Sequence, residues 1–77
     1  MISNIKDIKG RVYQILKEKI ISLDLKPSEI LSDRKLSEEM KVSRTPVREA
    51  LNLLVKENYV KQSPGRGFWV TEISLKD

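Results

Sequence analysis

Ser32-Asp33-Arg34-Lys35-Leu36-Ser37-Glu38-Glu39-Met40-Lys41-Val42-Ser43-Arg44-Thr45-Pro46-Val47-Arg48-Glu49-Ala50-Leu51-Asn52 reads as two short helices around a tight turn. Ser32 suits an N-cap, Asp33 in the first turn suits the helix dipole, and Leu36 and Met40 form an apolar face. Lys35 stands where a full capping box would place Glu. After Lys41-Val42, Ser43 caps the next helix, which reaches about Lys56; Thr45-Pro46 offers a competing start with proline in its preferred first position. At about 100° per residue, Val47, Ala50, Leu51 and Leu54 gather on one side. Thr45, Arg48, Asn52 and Lys56 take the opposite arc, with Arg44 one turn before Arg48. Two short helices joined by a turn such as Lys41-Val42-Ser43 cross steeply, so the first braces the second and the second projects its N-terminus. The spacing predicts a helix-turn-helix over about 33–52.

Upstream, Ile8, Val12, Ile15, Leu16, Ile20 and Leu23 recur at steps of three and four, an amphipathic helix from Ile8 to Leu23. Pro27 ends it and holds Lys26 extended, and Ile30-Leu31 has room for a very short strand. Downstream, Glu57-Asn58 closes the third helix, asparagine being the usual substitute for glycine in a left-handed helix stop. Tyr59–Gln62 and Phe68–Thr71 alternate like strands around the turn-rich Ser63-Pro64-Gly65-Arg66-Gly67, giving a hairpin over about 59–71. The expected fold is mainly α with a small β-hairpin: a winged helix-turn-helix, three helices plus a wing. Residues 5–73 make up the domain, and 74–77 read as a polar tail or the start of a linker.

A chain of 77 residues has room for one small domain and one core, so any ligand-sensing or catalytic domain is expected to lie elsewhere. The chain has neither Cys nor His, which removes disulfides, thiolate nucleophiles, the commonest general base and the commonest transition-metal ligands. Neither an enzyme nor a cofactor is expected. No apolar run approaches the roughly 18 residues of a membrane span, no signal-like start is present, and a cytoplasmic protein is expected. The net charge is +4. Residues 41–66 carry Lys41, Arg44, Arg48, Lys56, Lys61 and Arg66 against Glu49 and Glu57, so six minus two accounts for that whole excess. One basic segment of this kind fits a face that meets phosphates.

The third helix offers two guanidinium forks and a hydroxyl at its start, groups suited to guanine edges and phosphates in a major groove. The plainer reading of Arg44 and Arg48 is a solvated face paired with Glu49 and Glu57. The hairpin tip weighs against it. Arg66 sits between Gly65 and Gly67, where bulky neighbours would block close approach to a backbone, and an arginine reaching a narrow minor groove needs that room. Glu38-Glu39 point about 100° apart and read as surface carboxylates rather than an acid-base pair. Trp69 and Tyr59 read as packing residues rather than base-stacking platforms, and the first helix as core rather than membrane anchor.

Ser32–Ser37, Val42–Leu51 and Pro64-Gly65-Arg66-Gly67 together resemble the signature of the GntR regulators' N-terminal domain, over nearly the full chain from Ile5 to Ile73. The Ser-Arg-Thr-Pro-Val-Arg-Glu-Ala-Leu run is most similar to the FadR-like branch. The resemblance implies a winged helix-turn-helix that binds double-stranded DNA at an inverted-repeat operator as a homodimer, with a C-terminal domain that binds a metabolite. It further implies that Arg34 touches backbone or bases, that Arg44, Thr45 and Arg48 read or clamp the major groove, and that Gly65 and Arg66 enter the minor groove. Ser43 and Pro46 fall within the same motif, Ser43 with Thr45 as a phosphate contact. Ser28, Lys35 and Lys41 depart from the pattern; a left-handed backbone at Lys41 would cost about 1 kcal/mol. The competing expectation is a winged-helix protein-interaction module whose third helix docks on a partner.

Overall fold

A computed structural model describes residues 7–72; Ile5, Lys6, Ile73 and the 74–77 tail lie outside the described residues. Three helices, α1 (Ile8–Ile21), α2 (Asp33–Met40) and α3 (Arg44–Lys56), enclose the core with strands β1 (Ile30–Leu31), β2 (Val60–Ser63) and β3 (Gly67–Val70). The sheet is antiparallel in the order β1-β3-β2, with Leu31 opposite Phe68 and Ser63 opposite Gly67. The short strand ahead of α2 therefore joins the hairpin as a third strand and ties the wing to the start of α2.

Val12, Leu16 and Ile20 recur at every fourth position of α1 and are buried against Val47, Ala50, Leu51 and Leu54 of α3. Val60, Phe68 and Val70 close the core from the sheet. The first helix is shorter than its apolar periodicity predicts. Leu23 adopts a left-handed backbone (φ 69°) and its amide returns to the Ile20 carbonyl at 3.1 Å, so the chain turns away before the proline. Leu23 is thus exposed rather than part of the apolar stripe, as is Ile15 at 38%.

The Ser32 side chain accepts the Lys35 amide at 3.1 Å and caps α2. At its other end Lys41 is left-handed (φ 61°), and the Val42 amide reaches the Ser37 carbonyl at 3.1 Å. A lysine there carries the strain expected of a Cβ in that region. Ser43 begins α3 in extended geometry, yet its side chain makes no capping bond. Pro46 falls inside the first turn, where the missing amide belongs to a position without an intrahelical acceptor. Asn58 (φ 69°) closes α3, and both hairpin strands lie one residue nearer the tip than alternation predicts. The cause is local: the Tyr59 amide is taken by the Leu54 carbonyl as part of the helix stop, at 3.0 Å.

A polar clamp joins α1 to the end of α3. Tyr13 Oη donates to Glu57 Oε1 at 2.6 Å, Lys17 Nζ donates to Tyr13 Oη at 3.3 Å, and the ammonium lies 5.5 Å and 5.4 Å from the ring centres of Tyr13 and Tyr59. The hydrogen bond to Glu57 raises the Tyr13 pKa above the ordinary 10.0, and the bond to Tyr13 raises that of Lys17 above 10.5. Both groups hold their protons more tightly when folded. Their contribution is therefore complete below the ordinary values and is lost as pH rises through the folded-state values. Melting temperatures of the wild type and Tyr13→Phe should differ by a constant amount near neutrality and converge above about pH 10. A difference that persists unchanged at alkaline pH would refute the clamp.

Candidate nucleic-acid interface

Arg44 and Arg48 stand one turn apart on α3, with side chains 55% and 60% exposed. Neither pairs with Glu49 or Glu57 among the described residues. Both turn to Asp33 at the start of α2: Arg48 Nε lies 3.0 Å from Oδ2 and Arg44 Nη2 lies 3.5 Å from Oδ1. The packing of the two helices, with Leu36 and Val47 in one core, brings that carboxylate against the arginine face.

Across from this trio rises the hairpin tip. The Arg66 amide hydrogen-bonds the Ser63 carbonyl at 3.1 Å, and Gly65 (φ 83°) and Gly67 (φ 81°) take left-handed conformations with open space where a Cβ would sit. Both glycines are therefore required by backbone conformation rather than by crowding. The Arg66 guanidinium stacks over Trp69, 4.1 Å from the ring centre. Trp69 is 7% exposed and alternates with the core-facing Phe68 and Val70, so it supports the wing from the sheet's other face. Stacking of this kind restrains a long side chain before any partner arrives.

Between α3 and the wing lies an open cleft of about 470 Å³, lined on one side by Asp33, Arg44 and Arg48 and on the other by Pro64, Gly65 and Arg66. Three arginines against one aspartate leave its charged lining at +2. Of the residues singled out in the sequence, Arg44, Arg48, Gly65 and Arg66 meet here. Ser43 and Thr45 are exposed at the N-terminus of α3 and Pro46 is half-buried beside them; none of the three lines the cleft. Arg34 projects from α2, 73% exposed, and pairs with Glu38 at 3.7 Å. Sequence reading missed Asp33, which looked like a dipole partner of its own helix. A helix-turn-helix crossing that sets the first residue of α2 beside the arginine face was the available signal.

Residues 8–70 match the family model described as "Bacterial regulatory proteins, gntR family". The chain is 37% identical over 65 residues to an HTH-type transcriptional regulator of Bacillus subtilis, YdhC, covering 84% of this chain and 29% of that protein. It is 34% identical over 68 residues to the HTH-type transcriptional repressor RspR of Escherichia coli, covering 88% and 30%. Among solved structures, E. coli McbR/YncC superposes with a TM-score of 0.81 at 35% identity, covering 97% of this chain and 34% of that one. The chain thus spans about a third of the length of each of these three proteins. With most of its length inside the family model and its winged-helix architecture reproduced in a solved relative, this chain belongs to the gntR family of bacterial regulatory proteins.

Proposed function

We propose that this domain reads double-stranded DNA in a sequence-specific way for a transcription regulator of the FadR-like branch, binding an inverted repeat as a homodimer. Arg44 and Arg48 enter the major groove, Ser43 and Thr45 contact phosphates beside Pro46, Arg34 touches backbone or bases from α2, and Gly65 and Arg66 approach the minor groove. The observation that carries this reading is the cleft on which the α3 arginines and the wing arginine converge. Helix and wing then address neighbouring grooves, one supplying base-edge contacts and the other shape readout. A metabolite-binding C-terminal domain that controls the step rests on the family resemblance alone.

The protein-interaction reading is less well supported, because the apolar face of α3 is consumed by the core. Val47, Ala50, Leu51 and Leu54 are fully buried, so α3 presents mainly charged and polar groups outward, and protein interfaces are depleted of charge at their centres. Selection of bound duplexes from a random pool tests the proposal. Recovery of an inverted repeat with half-sites about one helical turn apart is expected, with affinity falling steeply as salt rises. A pool that never enriches, with binding that barely responds to salt, points to a protein partner instead.

A further inference from the structure

We infer that Asp33 is a specificity-determining residue of this interface, acting through Arg44 and Arg48; the inference rests on the DNA-reading proposal above. Its carboxylate is only 17% exposed, and its backbone is held by the Ser32–Lys35 cap bond that spans it and by the strand pair Leu31–Phe68 just before it. Each oxygen serves a different arginine: Oδ1 faces Arg44 Nη2 and Oδ2 faces Arg48 Nε. Held through Nε, Arg48 keeps its two terminal nitrogens free for the O6 and N7 of a guanine. Held through Nη2, Arg44 keeps Nε and its other terminal nitrogen. Two flexible side chains are thereby ordered in register with one another before binding, which lowers the entropy lost on docking.

The same carboxylate is a negative charge on a surface that meets phosphates. It weakens attraction to any duplex while favouring the one whose bases match the oriented forks, which is how a repulsive element sharpens discrimination. A residue that only stabilised the fold would affect all duplexes alike, and so would one that only added charge. The expected signature of Asp33→Asn is therefore a divergence. Affinity for random duplex rises about two- to fivefold at low salt, while the operator-to-random ratio falls about tenfold.

The measurement is a salt titration of binding to the selected operator and to a random duplex, for wild type, Asp33→Asn and Glu39→Gln, with thermal melting of each. Glu39 is exposed on α2 and makes no ion pair among the described residues, so its neutralisation removes one charge without touching the forks. Glu39→Gln should raise both affinities by the same factor. Divergence in Asp33→Asn with an unchanged melting temperature supports the inference. Parallel rises in both affinities, as in Glu39→Gln, or parallel losses with a lowered melting temperature, overturn it and leave the DNA-reading proposal standing. A wild type that prefers no duplex overturns both.

Discussion

Leu51→Ala is expected to lower the folding free energy by about 2–5 kcal/mol. Leu51 is 0% exposed in the middle of α3 and packs in the same cluster as Leu16, Val47 and Leu54, so truncation removes apolar contacts and leaves a void at the centre of the only core the described residues form. A domain of this length is stable by roughly 4–11 kcal/mol, and the loss is therefore a large share of the total. Urea unfolding followed by the fluorescence of Trp69 and by circular dichroism gives the number. Leu53→Ala is the matched control: Leu53 sits on the same helix, 37% exposed, and its truncation should cost about 1 kcal/mol or less. Equal midpoints for the two variants would mean that the buried face of α3 has been misassigned.

Arg48→Ala is expected to weaken operator binding by about 1–3 kcal/mol and to relax the base preference at one position of each half-site. The side chain is 60% exposed and, among the described residues, pairs only with Asp33, so its removal takes a reading group from the surface and leaves the core intact. Folding stability should change little, since a largely exposed ion pair contributes between nothing and about 1 kcal/mol. Titrations on operator and random duplex at two salt concentrations separate the roles. A phosphate contact would lose affinity equally on both duplexes and lower the salt slope, whereas a base contact loses more on the operator. Equal losses would move Arg48 from reading to positioning.

Much of the architecture was legible in the residues. Capping by Ser32, the left-handed stop at Asn58 and the turn around Gly65 and Gly67 are local events, decided by groups within a few positions of each other. Where the sequence reading went astray, a competing hydrogen bond or an unfavourable local conformation was responsible. The stop of α1 depends on Leu23 adopting a left-handed backbone, a choice that leucine does not advertise. The strand limits shifted because the Tyr59 amide closes a helix instead of continuing a ladder. Ile15 matched the apolar period of α1 but falls at the margin of the buried stripe, where periodicity alone cannot separate covered from half-covered positions.

The candidate interface divides in the same way. Residue types were readable: two arginines one turn apart, and a third flanked by glycines, announce anion-seeking chemistry in their own side chains. Their arrangement was not. The pairing of Asp33 with Arg44 and Arg48, the stacking of Arg66 on Trp69, and β1 as the strand that anchors the wing to α2 all join groups from different elements. Sequence by itself determined the helices, the turns and the sign of the charged face, because those follow from backbone preference and periodicity within a single element. Only the tertiary structure decided which carboxylate holds which arginine, because ion pairing and stacking depend on distances of a few ångströms that exist once the core has set the crossing of α2 and α3.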